Sequence, residues 1–296
     1  MRIGVDLGGT NIAAGIVLAD GRILAKNSVT FRRGGGEAGL ISDVAGLCNG
    51  LLVDNNILPG QIEALGIGCP GSVDPQRGVI LRAYNLGLEN VSVSHLLGRV
   101  LMLPIHVAND ANCAALGEAT FGAARGSKFS ITITLGTGVG GGLIFNGRIY
   151  TGPFFAAGEM HQVIRAGGEA CACGRRGCWE AYVSAGALTR VAIGLGGGND
   201  VTAKMVFEAA DAGVNWAIQA TEEYYDNLAI GLGNLVNILQ PEVIVIGGGI
   251  SGRGQGLIDA VNKRMAAETF GDDLRTKFVI ADLGNDAGII GAALLP

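Results

Sequence analysis

The sequence predicts a mixed α/β protein built as two lobes. Strand-like and helix-like segments alternate through both halves, and 296 residues suit two domains of ordinary size. The segment 3–17, IGVDLGGTNIAAGIV, is also matched in spacing by 131–145, ITITLGTGVGGGLIF, with Leu-Gly at 135–136 standing where Leu-Gly stands at 7–8. The expected lobes are residues 1–122 and 123–296, with the C-terminal helix free to return to the first.

Residues 3–17 read as strand, glycine turn and strand, because apolar and β-branched residues flank the glycines. A third strand over 23–29, a helix over 37–55 and an apolar strand over 64–69 follow. Residues 105–108 form a short strand running into a helix over 111–121. In the second half, helices cover 184–193, 201–210 and 214–239, and Pro241 ends the last. The β-branched run 243–246 is typical of a buried strand and feeds Gly247, Gly248 and Gly249. Helices over 256–269 and 287–294 flank a strand over 277–281. The segment GLGGGND at 194–200 is a loop between helices; no strand precedes it, so it is not a phosphate motif.

Composition narrows the function. With 49% hydrophobic and 16% charged residues the chain is not a disordered one, and 51 glycines imply many tight turns. A net charge of −5 with no Lys/Arg run longer than a pair leaves no electrostatic footprint for nucleic acid. Mean hydropathy is +0.40, yet no apolar run approaches the roughly 18 residues of a membrane span; the stretch 228–239 carries Asn234 and Asn237. The opening MRIGVDLGGT puts Asp6 and glycines where a signal peptide needs its apolar region, so a cytoplasmic location is expected. Cys48, Cys69 and Cys113 then read as free, buried core thiols.

The chemistry concentrates in four places. His161, Cys171, Cys173 and Cys178 offer imidazole and thiolates, the ligands tetrahedral zinc selects, and Gly174 and Gly177 let the loop fold back; a closed structural Zn²⁺ site is expected. The turns at Gly8, Gly9 and Thr10 and at Gly136, Thr137 and Gly138 can present backbone N–H groups to an anion. If the lobes face each other, the turns would converge on a polyphosphate from opposite sides. Asp6, at the start of the first turn, suits Mg²⁺ held through water. Asp110 sits where a strand gives way to a helix, placed either to cap that helix or to deprotonate a hydroxyl. The Cys69-Pro70-Gly71 turn closes another strand beside it.

Taken together, DLGGT at 6–10, CPG at 69–71, NDAN at 109–112, LGTGVGGG at 135–142, CxCGxxGCxE at 171–180 and IGGG at 246–249 resemble the ROK family of sugar kinases and sugar-responsive repressors. The resemblance runs in order along nearly the whole chain. It implies the two-lobed actin-like, sugar kinase and heat-shock ATPase fold, with duplicated ribonuclease-H-like domains and a zinc loop over 161–178. It implies Asp110 as the base that takes the proton of the attacking sugar hydroxyl. It further implies Asn85, Asn109, Glu180 and His161 as sugar contacts, His161 also binding zinc. Thr10, Asn11, Thr137 and Gly138 fall at phosphate positions, and Gly247, Gly248 and Gly249 where the nucleotide packs.

Two positions depart from the pattern. The family reads Gly-Glu-x-x-His, whereas this chain reads Gly158-Glu159-Met160-His161, so Glu159 stands one residue late and altered recognition at the anomeric side of the sugar is expected. Asn11 stands where lysine is common. The leading expectation is a Mg²⁺- and ATP-dependent hexokinase making glucose 6-phosphate, assembled as a homodimer or larger. Kinases for N-acetylmannosamine, N-acetylglucosamine or fructose, and polyphosphate as donor, are the near alternatives. A repressor would carry a helix-turn-helix ahead of the strand at Ile3, and a non-catalytic sugar binder would not need Asp6 and Asp110.

Overall fold

A computed structural model describes residues 1–32, 34–160, 162–271 and 275–296; His161, an expected zinc and sugar ligand, lies outside the described residues. The chain forms two compact units. One comprises Met1–Lys128, Gly142–Gly158 and Asp282–Pro296, and the other Phe129–Gly141 and Glu159–Ala281.

In the first unit, β1 (Arg2–Leu7) and β2 (Asn11–Val17) form an antiparallel hairpin that β3 (Ile23–Thr30) extends. The Gly8 N–H closes the turn on the Asn11 carbonyl at 2.8 Å. Helix α1 (Gly36–Asp54) turns Leu40, Val44, Leu47, Cys48 and Leu51 inward, the three-and-four spacing of a one-sided apolar face. Strand β4 (Leu65–Cys69) pairs parallel with β1 and is buried at every residue, as a strand covered on both faces must be. After it come β5 (Ser72–Asp74), β6 (Val79–Ala83) and β7 (Leu88–Val91), a small antiparallel sheet, then α2 (Val93–Leu101). Neither this sheet nor α2 was expected. A three-residue strand with a bulge at Ser72/Val73 is too short to show periodicity, and α2 buries only Val93 and Leu97. Strand β8 (Ile105–Asn109) then pairs parallel with β4 and leads into α3 (Asp110–Thr120), giving the sheet order β3-β2-β1-β4-β8.

The second five-stranded sheet contains β9 (Phe129–Leu135), β10 (Val139–Phe145), β11 (Arg148–Ile149), β12 (Val243–Gly247) and β13 (Lys277–Ile280), ordered β11-β10-β9-β12-β13. Strand β12 runs parallel to both neighbours. Its plan repeats that of the first sheet: three consecutive strands, then two parallel ones. The duplication expected from residues 3–17 and 131–145 is therefore present in the topology. Helices α4 (Glu180–Val183), α5 (Ala185–Gly194), α6 (Ala203–Asp211), α7 (Asn215–Leu239) and α8 (Gln255–Glu268) complete the second unit.

The last helix, α9 (Ala287–Ala293), belongs to the first unit and lies on β1 and β4 with almost no space between main chains. A Cβ at Gly4 would overlap the Ile289 carbonyl, and one at Gly66 the Ala292 carbonyl. Overpacking against rigid backbone costs about 1–3 kcal/mol or more. Gly66→Ala should therefore lower the melting temperature by several degrees in a circular-dichroism melt. Gly46→Ala, on α1 where an added Cβ meets nothing, should leave it unchanged or slightly raised.

Candidate active site and cysteine centre

Strands β1 and β8 flank β4 in parallel, with Asp6 opposite Gly68 and Cys69 opposite Asn109, so their C-terminal ends bring Asp6 and Asp110 to one edge of the sheet. Both carboxyls are held back from water. Burial, reinforced by the charge of Asp110, pushes Asp6 up to about 6. Burial also raises Asp110, against hydrogen bonds that stabilise its anion, the nearest being the Ala111 N–H at 2.8 Å. Asp110 does not cap α3. The cap is Asn109, the last residue of β8, whose extended backbone (ψ 146°) lets its Oδ1 accept from the Asn112 N–H at 3.1 Å. The Asn109 amide donates to the Gly71 carbonyl at 3.1 Å, tying the Cys69-Pro70-Gly71 turn to the start of α3. Capping of α3 is thus carried by Asn109 and not by the Asp110 carboxylate.

The other sequence-derived positions of the first unit gather nearby. Asn85 stands in a single helical turn (Tyr84–Leu86) that Gly87 ends in the left-handed conformation, and its Cβ lies 4.0 Å from where a Cβ on Gly9 would be. The Thr10 carbonyl accepts from the Phe31 N–H at 2.8 Å, and exposed Asn11 opens β2 opposite Thr30. Cys69 and Cys113 are buried, and both thiols are pushed up by that burial and by Asp110 and Asp6, as inert core cysteines should be.

In the second unit, the Gly136 N–H closes the second glycine turn on the Gly138 carbonyl at 3.0 Å. Glu180 braces this turn: its Oε2 accepts from the Val139 N–H at 3.1 Å and occupies the space beside Gly138, where a Cβ would come within 2.6 Å of it. Its Oε1 accepts from the Cys171 thiol at 3.5 Å. The Sγ atoms of Cys171, Cys173 and Cys178 lie within 4.8 Å of one another, and those of Cys173 and Cys178 are 3.5 Å apart. Tetrahedral zinc with bonds of about 2.3 Å to sulfur spaces its thiolates at about 3.8 Å, so the three thiols fit that ion. The Ile164 N–H donates to the Gly177 carbonyl at 2.9 Å, and the Trp179 N–H to the Gln162 carbonyl at 2.8 Å, laying residues 162–164 alongside 177–179. Glu159 is exposed, and Met160 takes a left-handed φ of 52°, unusual for a residue with a side chain.

Gly249, past the end of β12, lines a cavity of about 560 Å³ with Ala185, Thr202, Lys204, Phe207 and Arg253. Arg253 lies over the Phe207 ring at 5.7 Å and donates to Asp211 at 2.7 Å. Apart from the glycine run, sequence reasoning missed this wall. Its residues come from separate helices and share no motif.

The raised pKa of Asp6 has a signed consequence for stability. Between its ordinary value of 3.8 and about 6 the native state binds the proton more tightly than the unfolded chain, so stability falls as pH rises through that window. In metal-free buffer, Asp6→Asn should match the wild type near pH 4 and exceed it at pH 7.5 by on the order of 2 kcal/mol in urea unfolding.

Comparison with known proteins agrees with this geometry. The ROK family model matches residues 2–296. A glucokinase of Halalkalibacterium halodurans is 36% identical, over 99% of this chain and 94% of its own. Among solved structures, the ROK family glucokinase from Streptomyces griseus in complex with glucose and AMPPNP is 35% identical with a TM-score of 0.81, covering 99% of this chain and 98% of that one. The ROK hexokinase from Thermus thermophilus is 33% identical with a TM-score of 0.86, covering 99% and 96%. A family model matched over almost every residue, together with such relatives, makes this chain a member of the ROK family.

Proposed function

We propose that the protein is an ATP-dependent hexokinase that phosphorylates glucose at its 6-hydroxyl. The observation that carries this reading is the pair Asp6 and Asp110, two half-buried carboxyls at the ends of the strands that flank β4, set beside the glycine turn and Asn85. A base with a raised pKa, not used as a helix cap, suits the removal of a hydroxyl proton. Its relatives named glucokinase supply the substrate.

In this reading Asp110 accepts the 6-hydroxyl proton as the oxygen attacks the γ-phosphorus. Asn85, Asn109, Glu159, His161 and Glu180 orient the sugar, so that the attacking oxygen is held in line. Phosphoryl transfer needs mainly such positioning and charge neutralisation. The backbone N–H groups around Gly8, Gly9 and Thr10 in the first unit, and around Thr137 and Gly138 in the second, receive phosphate oxygens. The nucleoside goes to the cavity beside Gly249, whose volume is ordinary for such a ligand. Asp6, whose carboxyl is raised by burial and by the charge of Asp110, would hold Mg²⁺, and the ion would supply neutralisation of charge on the phosphates. Cys171, Cys173 and Cys178, which the structure gathers, would hold Zn²⁺ together with His161, and the ion would serve there as a structural brace for the loop. A cytoplasmic homodimer or larger assembly is part of the same reading. Among the described residues, no helix is long and apolar enough to cross a membrane.

An assay coupling ADP release to a panel of hexoses tests the reading. Glucose should give the highest kcat/KM, and Asp110→Ala should lower kcat by about 10²- to 10⁴-fold. Wild-type turnover that no hexose raises above the variant's would overturn it.

The metal has its own test. Purified protein should carry one zinc per chain by elemental analysis. Cys173→Ser should lose most of it and melt at a lower temperature, because metal binding free energy adds to folding free energy.

A further inference from the structure

Glu118 belongs to no motif assigned above, yet it is 1% exposed and its charge is met by main chain. Its Oε1 accepts from the Leu283 N–H at 2.8 Å, and its Oε2 from the N–H groups of Ala123 at 2.9 Å and Asp282 at 3.2 Å. Gly122 leaves the space this carboxylate fills; a Cβ there would overlap Oε2. An acid eight residues along α3 from Asp110 thus fastens the chain just ahead of α9, 164 residues away in sequence.

What it fastens reaches the acid pair from two sides. Gly117, next to Glu118, lets α3 approach the Ala287 carbonyl, where a Cβ would stand 2.6 Å away, and a Cβ on Gly291 would overlap the Cys113 carbonyl in the first turn of α3. On its other side α9 meets β1 at Gly4, and a Cβ on Gly288 would come within 3.1 Å of the Asp6 carboxylate. The helix therefore spaces the strand that carries Asp6 from the helix that begins at Asp110.

We propose that Glu118 is a positioning residue for phosphoryl transfer, holding α9 in the place that sets Asp6 and Asp110 at their working separation. Charge-assisted bonds to three N–H groups make a stiff tether, and rigidity matters because a misplacement of about 1 Å at reacting groups can lower a rate about 10²-fold. The exposed pair Lys26–Asp286 (2.9 Å) tethers the same segment, but solvent-screened pairs hold little. The inference rests on the kinase reading only for its catalytic readout.

The test compares the wild type with Glu118→Gln, Glu118→Asp and Asp286→Asn. The readouts are kcat, the KM values for sugar and ATP, and amide hydrogen exchange resolved by peptide. In Glu118→Gln the amide NH₂ must face at least one backbone N–H, so the tether fails at unchanged volume. Expected are a fall in kcat of about 10- to 100-fold with both KM values within about threefold, and faster exchange at 282–291 and at 110–113 but not in α1. Asp286→Asn should change none of these. If Glu118→Gln does not fold, Glu118→Asp, whose shorter chain cannot reach all three donors, takes its place. A loosened 282–291 with kcat and exchange at 110–113 unchanged overturns the proposal, as does faster exchange spread evenly over α1 and the rest of the unit. Should the wild type phosphorylate no hexose, the kinase reading falls separately. Exchange at 110–113 then decides alone, acceleration supporting the positioning role and its absence overturning it.

Discussion

The first unit depends on one steric condition: a helix must lie directly on two strands and another helix, main chain against main chain. Helix α9 meets β1 at Gly4, β4 at Gly66 and α3 through Gly117 and Gly291, and at three of these four positions an added Cβ would overlap a carbonyl group outright. Such contact excludes water as well as side chains. Asp6 and Asp110 stand at the edge of this dry layer, which explains why burial leads the forces raising both carboxyls. The packing that stabilises the sheet and the electrostatics that tune the acids have one cause.

The two sheets share a plan but not a chemistry, and the difference is traceable to single positions. When 3–17 is laid on 131–145, Thr134 falls where Asp6 stands and Gly138 where Thr10 stands. The first copy keeps an acid at the strand end and a hydroxyl in the turn. The second gives up the acid and carries its hydroxyl one place earlier, at Thr137, and the missing side chain at Gly138 admits the Glu180 carboxylate to the Val139 N–H. Similar hairpins were thus specialised by what each turn leaves room for.

These features differ in how far they could be read from sequence. The hairpins, the buried strands and the long helices follow from local periodicity, and their ends fall within about two residues of the expected ones. The cysteines and glycine turns carry their chemistry in their spacing. What could not be read depends on contacts between distant segments. Asn109 rather than Asp110 caps α3, a choice made by the extended backbone at the end of β8. Glu118 looks like an ordinary helix glutamate until Asp282 and Leu283 arrive beside it. Phe207 and Arg253 form a cavity wall only once α6 has packed beside the turn that follows β12.

Glu118 and Glu180 show one device used twice. Each is a carboxylate that accepts from main chain, Glu118 from three N–H groups and Glu180 from one, and sits against a glycine at which a side chain would collide with it. The result is a rigid joint made without a cation, since aligned N–H dipoles stabilise the charge while fixing its direction. In the second unit the joint connects the glycine turn to the cysteine loop through Cys171. The loop's own hydrogen bonds, from Cys171 to Arg175 and from Gly177 to Glu169, gather the three thiols. Bringing thiolates together is unfavourable by itself; burial pushes the Cys171 thiol up, while the hydrogen bond from Arg175 lowers Cys173. A dication at the loop would remove that repulsion by neutralising the thiolates.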